Sequence, residues 1–287
     1  MLNFLPNKLK NAILKLGIDK LSEIRIRNGR PVEILLNGDK LFLEKYVISK
    51  TEVEEIVLNA CKRSIYSYDE QIKQGYITSD CGERIGLAGE LVIKGGNISA
   101  IKDFSSLCIR IPHQIIGVSN LFFNKVYKGG SVLIISPPAV GKTTFLRDFT
   151  RELSSGLSKN VVVVDERNEI ACFTGDKAFD LGACTDVLTY SDKTFGLNQA
   201  LRTLNPEIVV VDELVSIEDV NSVIKAIFGG VSVVATVHSN SIENLFMRDF
   251  TLPIKNTKPF DYYVVIEIKN GNRYYRYYNR DFVEICF

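Results

Sequence analysis

One stretch near the middle of the chain limits the possible folds more than any other. Residues 131–136, Ser-Val-Leu-Ile-Ile-Ser, are followed by Pro-Pro-Ala-Val and then by Gly-Lys-Thr-Thr at 141–144. An apolar run, a turn with two prolines and a helix-like segment in this order are typical of a strand, a phosphate-binding loop and a helix. In such a loop, backbone N–H groups surround the phosphates, the lysine reaches the β- and γ-oxygens and a hydroxyl binds Mg²⁺. The stretch therefore predicts a nucleotide site, and the alternative is an ordinary strand–turn–helix connection.

The predicted site has a nucleotide-binding set, with Thr143 also a metal ligand and Lys142 also a catalytic residue. The set comprises Ser136, Pro137, Pro138, Ala139, Val140, Gly141, Lys142, Thr143 and Thr144. Ser136 stands where the pattern G-x-x-x-x-G-K-[ST] has its first glycine. A serine makes this turn without strain only if its φ is negative, since a positive φ costs about 1 kcal/mol or more.

The composition describes a globular protein without an obvious charged partner. Hydrophobic residues make up 46% of the 287 residues and the net charge is +1, so no overall basic field favours nucleic acid or acidic lipid. The six cysteines form no C-x-x-C pair, which favours reduced thiols over disulfides or a zinc site. We expect neither a secretory signal at the start nor an apolar run long enough to cross a bilayer.

The pattern of strands and helices changes near residues 112–117, and we predict two domains, 1–116 and 117–287. The first is α+β, with hairpin turns at Asn28-Gly29 and Asn37-Gly38 and late strands at 98–101 and 107–111. The second alternates strands and helices. Its predicted strands are 131–135, 161–165, 208–212 and 231–237, and its predicted helices are 143–153, 194–204 and 218–228. This alternation predicts an α/β fold with a mainly parallel sheet, and a closing hairpin turns at Asn270-Gly271.

Two of these strands end in an Asp-Glu pair, at Asp165-Glu166 and Asp212-Glu213. The carboxyl ends of parallel strands meet at the sheet edge where the phosphate loop also lies. Phosphoryl transfer to water needs a carboxylate that holds Mg²⁺, directly or through water, and a group that orients the attacking water. We therefore predict Asp212 as a metal ligand and Glu213 or Glu166 as the water activator. The alternative is that the pairs cap the helices that follow.

A histidine and three arginines are further candidates. His238 ends a strand on the same edge and could sense the γ-phosphate or hold water, although local loop contacts would explain it equally well. Arg202 precedes the Asp212 strand, and a guanidinium there could stabilise the charge of the transition state. Arg84 and Arg110 lie in the first domain, and in a ring of subunits either could reach a neighbour's nucleotide.

With these pieces placed, the chain resembles the stage III sporulation protein AA family and, more distantly, the secretion and type IV pilus ATPases. The resemblance is spread over nearly the whole length. Its narrowest motifs are Gln74-Gly-Tyr-Ile-Thr78, Asp165-Glu-Arg-Asn-Glu-Ile170 and Thr185-Asp-Val-Leu188. It also includes Arg84-Ile-Gly-Leu-Ala-Gly89, the phosphate loop, and Asn205-Pro-Glu-Ile-Val-Val-Val-Asp-Glu213.

The resemblance implies a RecA-like, Mg²⁺-dependent ATPase core behind a smaller N-terminal domain, working as a homo-hexamer. It places Asp165, Glu166 and Glu169 in the family's acidic box and His238 in its histidine box. The implied role is to power or assemble a secretion-like channel between mother cell and forespore, at the cytoplasmic face of membrane partners. One departure is Leu214-Val-Ser216, where the family has an Ile-Gly-Arg-like sequence, and the missing arginine predicts slow hydrolysis.

Two other function classes stay open on the sequence. A nucleotide-binding assembly scaffold that hydrolyses little would agree with Ser136 and with Val215-Ser216. A nucleic-acid-stimulated RecA-like ATPase is disfavoured by the near-neutral charge, because Arg273-Tyr-Tyr-Arg-Tyr-Tyr278 is the one basic–aromatic patch.

Overall fold

The computed structural model describes residues 1–79, 82–138, 140–173 and 178–286. The chain divides into two compact units. The first contains Met1–His113 and Cys172–Ala178, and the second contains Gln114–Ala171 and Phe179–Phe287. The division between them falls after His113, and the domain boundary that the sequence suggests after residue 116 stays a prediction.

The first unit is α+β. Its described strands form one six-stranded antiparallel sheet in the order β3-β2-β1-β6-β5-β4. The strands are β1 (Leu21–Arg27), β2 (Pro31–Leu36), β3 (Asp39–Val47), β4 (Tyr76–Thr78), β5 (Arg84–Lys94) and β6 (Asn97–Arg110). The helices are α1 (Asn7–Leu14), α2 (Lys50–Ala60) and α3 (Asp69–Lys73), with short 3₁₀ turns at Ile18–Lys20 and Ile65–Tyr68.

Local chemistry explains where these elements begin and which side they bury. Ser49 and Glu52 form a reciprocal capping box that starts α2 and satisfies backbone donors of its first turn. Ile24 and Ile26 alternate with polar residues on β1, as expected for a sheet with one buried face. Both isoleucines are fully buried, and they pack in the core of this unit with helix α2.

The two predicted late strands of this unit are one strand. β6 runs without a break from Asn97 to Arg110 opposite β5, and the prediction of separate strands at 98–101 and 107–111 is wrong. Asp103 has a φ of 50°, and the register with β5 shifts between Ala88 and Glu90. A bulge of this kind bends a strand without ending it, so the polar residues between the two apolar pieces belong to the ladder.

The second unit is α/β, with a seven-stranded sheet among its described residues in the order β13-β12-β7-β11-β10-β8-β9. All neighbours are parallel except β12 and β13. The strands are β7 (Val132–Ser136), β8 (Val161–Asp165), β9 (Thr185–Thr189), β10 (Ile208–Val211), β11 (Ser232–His238), β12 (Tyr262–Lys269) and β13 (Asn272–Asn279). The helices are α4 (Asn120–Lys125), α5 (Lys142–Arg151), α6 (Lys193–Thr203), α7 (Ile217–Phe228), α8 (Ile242–Leu245) and α9 (Leu252–Thr257). A π-helical turn, Glu152–Gly156, continues α5, and a 3₁₀ turn, Asp249–Thr251, precedes α9.

The central strands are apolar along their whole length because helices cover both faces of the sheet. Successive valines therefore enter different cores: Val163 packs with α5 on one face, whereas Val164 packs with α6 and α7 on the other. β9 was not predicted, since the strand is only half-buried at the sheet edge and Asp186 interrupts its apolar pattern. Within the described ranges, no helix is long and apolar enough to span a membrane.

Candidate nucleotide site

The predicted phosphate loop joins β7 to α5. Ser136 is the last residue of β7, is fully buried and is not among the residues with positive φ, so the predicted strain does not arise. Gly141 immediately precedes α5 with φ 114° and ψ 19°, a left-handed conformation that favours glycine. The amino end of α5, with its unsatisfied N–H groups, therefore begins directly at the loop, as anion binding requires.

Lys142, Asp212 and Thr236 form a hydrogen-bonded group beside the loop. Lys142 Nζ lies 3.2 Å from Asp212 Oδ1 and 2.9 Å from Thr236 Oγ1. The Thr236 hydroxyl donates to Asp212 Oδ1 and accepts the backbone N–H of Glu213 at 2.7 Å. Three parallel strands supply these contacts, since β7 leads to Lys142, β10 ends before Asp212, and Thr236 lies near the end of β11.

The charge of Asp212 is stabilised by this environment. Burial by itself raises the pKa of the carboxyl, but the Lys142 ammonium, the Thr236 hydroxyl and the Glu213 amide outweigh it, so the pKa is lowered. Asp212 Oδ2 also accepts from the Thr143 hydroxyl at 3.3 Å. Neighbouring ligands of octahedral Mg²⁺ lie about 3 Å apart, because each lies about 2.1 Å from the metal. This pair of oxygens fits a magnesium ion in chemistry and in spacing.

Glu213 lies next to Asp212 in a constrained conformation. Its φ is 45°, unusual for a residue with a side chain, and such strain of about 1–3 kcal/mol is found at functional sites. Its carboxylate lies 3.4 Å from His238 Nε2 and 3.4 Å from Arg167 Nη1. His238 Nδ1 in turn lies 3.2 Å from the carbonyl oxygen of Ser136. The first residue of the loop and the Glu213 carboxylate are thus linked through one imidazole.

Glu166 emerges one strand further along the same edge and has a different partner. Its carboxylate accepts from Lys193 Nζ at 2.5 Å, and Lys193 is largely buried at the start of α6. Asp165, the last residue of β8, is buried and accepts the backbone N–H groups of residues 169, 170 and 171. Burial raises the pKa of Asp165, although these three donors partly oppose the shift. Asp165 therefore shapes the loop beside Glu166, and its oxygens face backbone rather than the phosphate loop.

The structure brings most predicted site residues to one edge of the sheet. Lys142, Thr143, Asp212, Glu213 and His238 are connected by the contacts above, and Glu166 lies on the neighbouring strand end. Pro137, Pro138, Val140 and Thr144 lie in the loop or in the first turn of α5, whereas Ala139 lies outside the described residues.

Arg202 is not brought to this edge. It is exposed in the last turn of α6, just before β10 begins, and the amino end of a parallel strand lies at the edge opposite to the phosphate loop. A catalytic role for Arg202 at the site of its own chain therefore has no geometric support. Arg84 and Arg110 belong to the first unit, where they face each other across β5 and β6, and the Arg84 guanidinium lies 4.2 Å from the Tyr76 ring.

Four further residues lie at the site and are not among the predicted site residues: Thr236, Lys193, Arg167 and Arg273. Thr236 was predictable, because it lies two residues before His238 and therefore on the same face of β11. Lys193 and Arg167 carry no local pattern that separates them from surface cations. Arg273 donates from Nε to the carbonyl oxygen of Val140 at 2.7 Å, across 133 residues of sequence.

Comparison with known proteins identifies the family. The family described as sporulation stage III, protein AA matches residues 2–281. The chain belongs to this family. Stage III sporulation protein AA of Bacillus subtilis (strain 168) is 34% identical over 278 residues, covering 93% of this chain and 90% of that protein. The protein Seedling Plastid Development 1 of Arabidopsis thaliana is also similar to this chain. It is 25% identical, and the aligned region covers 34% of that protein.

Solved structures similar to this chain include an ATPase and a pilus retraction motor. The ATPase DotB of Legionella pneumophila has a TM-score of 0.64 at 17% identity, covering 96% of this chain and 81% of that chain. The pilus retraction motor PilT with bound ADP has a TM-score of 0.65 at 15% identity, covering 94% and 81%. At these identities the similarity concerns the fold, and it confirms the predicted RecA-like core preceded by a smaller α+β unit.

Proposed function

We propose that the protein is an Mg²⁺-dependent ATPase of the secretion type. One observation carries the proposal: the phosphate-loop residues Lys142 and Thr143 both contact Asp212, while Glu213 and His238 lie beside them at the same sheet edge. The membership of the family and the fold shared with the ATPase DotB and the pilus retraction motor PilT support it.

Each residue of the site has a role that follows from its chemistry. Backbone N–H groups of the loop and the Lys142 ammonium bind the β- and γ-phosphates. The Thr143 hydroxyl and the Asp212 carboxylate hold Mg²⁺, which when bound neutralises charge on the phosphate oxygens. His238 contacts both Ser136 and Glu213 and so holds that carboxylate beside the phosphate loop.

Either Glu213 or Glu166 orients the attacking water. Fewer hydrogen bonds separate Glu213 from Lys142 than separate Glu166 from Lys142. The strained backbone of Glu213 also fixes the direction of its side chain. Glu166 is paired with Lys193 at 2.5 Å, a shorter contact than the 3.4 Å that separates the Glu213 carboxylate from His238 and from Arg167. Both have a side chain that is partly accessible to solvent, 27% for Glu213 and 42% for Glu166.

Single-turnover hydrolysis of ATP by Glu213→Gln and Glu166→Gln separates the two and tests the activity itself. The water-orienting residue, once replaced by its amide, should slow the chemical step by about 100-fold or more while ATP binding persists. The other variant should be slowed by less than about tenfold. If the wild type hydrolyses ATP no faster than both variants, the chain is a nucleotide-binding scaffold and the proposed activity is wrong.

In the cell, we propose that the ATPase acts as a homo-hexameric ring that powers or assembles a mother cell–forespore channel during sporulation. It would work in the mother-cell cytoplasm, at the inner face of membrane partners. Within a ring, Arg84 and Arg110 would approach the nucleotide of a neighbouring subunit. Mass determination tests the ring: with a non-hydrolysable ATP analogue we expect about 190 kDa, six chains of 32.2 kDa, and a persistent monomer would contradict it.

A further inference from the structure

The C-terminal hairpin brings an arginine against the phosphate loop. Arg273 lies at the start of β13, directly after the turn at Asn270-Gly271, and its Nε donates to the carbonyl oxygen of Val140 at 2.7 Å. A Cβ added to Gly141 would meet Arg273 Nε at 3.1 Å and its Cδ at 3.7 Å. The side chain therefore both bonds to the loop and packs against the Cα of Gly141.

The position of Arg273 is fixed by aromatic residues on the same face of β13. Tyr275 lies 5.7 Å, between ring centres, from Phe145 of α5, and Tyr277 is buried 5.2 Å from Phe122. Because side chains alternate along a strand, Arg273 shares this face and occupies its end near the loop. Arg276 projects from the other face, where it pairs with Glu284 and Glu267. The two arginines of this basic–aromatic patch therefore lie on opposite faces of β13.

The amino end of the phosphate loop, at Ser136, is held from the β11 side of β7, opposite to the hairpin. The carbonyl oxygen of Ser136 accepts the backbone N–H of Ser239 at 3.2 Å and lies 3.2 Å from His238 Nδ1, both at the end of β11. In the sheet, β11 neighbours β7 on one side, and β12 followed by β13 lie on its other side. Contacts from the two flanks therefore fix the two ends of the loop.

We propose that Arg273 is a positioning residue of the phosphate loop. A peptide unit is planar and trans, so its carbonyl and its N–H point in opposite directions. A donor that fixes the Val140 carbonyl therefore also fixes the N–H of Gly141, one of the groups that the phosphates need. Without this donor the peptide can rotate readily, because Gly141 tolerates many backbone conformations. The inference rests on the proposed function for its binding consequence, since a loop that is not preorganised binds phosphate more weakly.

Replacements at residue 273 separate positioning from direct charge. The amide nitrogen of a glutamine lies as far from the backbone as Arg Nε, so Arg273→Gln keeps a donor for Val140 and removes the charge. Arg273→Lys keeps the charge but places its nitrogen one atom further out, and Arg273→Ala removes both. Arg276→Gln is the matched control, because it removes an arginine from the opposite face of the same hairpin.

The measurements are the dissociation constant of a fluorescent ADP analogue with Mg²⁺, kcat at saturating ATP, and hydrogen exchange of residues 137–145 without nucleotide. We expect Arg273→Ala to bind about tenfold more weakly, the equivalent of one hydrogen bond from a charged donor, with kcat within about twofold of wild type. Loop amides should exchange faster in this variant. Arg273→Gln and Arg276→Gln should match the wild type in all three measurements.

The outcomes distinguish this inference from the proposed function. If Arg273→Gln binds as weakly as Arg273→Ala while Arg273→Lys matches the wild type, the charge acts directly and positioning is wrong. If the wild type binds no nucleotide, the proposed function fails, and hydrogen exchange alone decides the inference. In that case unchanged exchange of the loop in Arg273→Ala would overturn it, and faster exchange restored by Arg273→Gln would support it.

Discussion

A single threonine hydroxyl forms hydrogen bonds with three groups of the site. Thr236 Oγ1 donates to Asp212 and accepts from the Lys142 ammonium and the Glu213 amide, and the residue is fully buried. Because Thr236 is not exposed to solvent, bulk water does not compete for these hydrogen bonds. Together with Asp212 Oδ1, which accepts the same Glu213 N–H at 3.0 Å, the hydroxyl holds the strained backbone of Glu213.

Thr236→Val tests this role, since it removes the hydroxyl and leaves the shape. Lys142, Glu213 and Asp212 each lose one of their hydrogen bonds, so we expect the free energy of unfolding to fall by about 1–3 kcal/mol. Turnover should fall at least about tenfold, because Asp212 and Glu213 lose their common anchor. Chemical denaturation and steady-state ATPase rates provide the measurements. Thr150→Val is the control: its buried hydroxyl bonds within α5 to Leu146, and its loss should leave turnover unchanged.

Asp148 is a buried residue of α5 whose carboxylate binds the segment that precedes β7. Its two oxygens accept the backbone N–H groups of Gly117 and Ser119 and the hydroxyl of Ser119, and Arg151 lies 3.2 Å away. Burial by itself raises the pKa of Asp148, but these donors outweigh it and the pKa is lowered in the folded chain.

The lowered pKa predicts a pH dependence of stability with a definite sign. The stabilisation from ionised Asp148 is present above the unfolded-state pKa of about 3.9 and is lost as the pH falls through the lower folded-state pKa. We expect Asp148→Asn to lose about 1–3 kcal/mol at pH 7 and to show a smaller further loss below pH 4 than the wild type. Unfolding curves at pH 7 and in the acid range measure both. Parallel losses in the two proteins would contradict the assignment.

At the scale of elements, the loop after β8 is shaped from both sides by buried side chains. Asp165 accepts three of its N–H groups, and Arg147 of α5 donates to the carbonyl oxygens of Glu169 and Ile170. Arg147 also lies 4.2 Å from the ring of Phe179. The helix that begins at the phosphate loop thus positions the segment that carries Glu166.

Arg147→Met should weaken this connection while filling most of the same volume. Two carbonyl groups lose a charged donor, so we expect a loss of about 2–3 kcal/mol in the free energy of unfolding. If Glu166 orients the water, turnover should fall while the affinity for ATP stays within about twofold. Isothermal titration and ATPase rates would show this split. A loss of affinity as large as the loss of turnover would place the effect at the phosphate loop instead.

The sequence predicted best those helices and strands whose residue pattern has a single physical cause. The apolar runs Val161–Val164 and Ile208–Val211 are strands because both sheet faces are covered, and the periodicity of α7 follows its single buried side. The capping box of Ser216 and Asp219 also accounts for the departure at Leu214-Val-Ser216, since Ser216 starts α7. β9 and the continuous β6 were missed because their polar residues are tolerated by an exposed edge and by a bulge.

At the scale of the whole chain, the topology rather than any local motif assembles the site. Parallel strands that end at one edge bring Lys142, Asp212 and His238 together, which the sequence allows one to predict once the strands are known. The same rule places Arg202, which precedes β10, at the opposite edge of the sheet from the site. Arg273 could not be predicted, because its contact with Val140 depends on how the final hairpin pairs beside β7.

In the proposed function, this sheet edge binds ATP with Mg²⁺ and hydrolyses it. The most direct measurement is the steady-state release of phosphate from ATP by the purified protein and by Lys142→Ala, with and without Mg²⁺ and with folding verified by thermal unfolding. We expect wild-type turnover that requires Mg²⁺ and that falls to background in folded Lys142→Ala, because the ammonium is a buried cation 3.2 Å from Asp212, the proposed metal ligand. Near wild-type hydrolysis in that variant would contradict the assignment of the site.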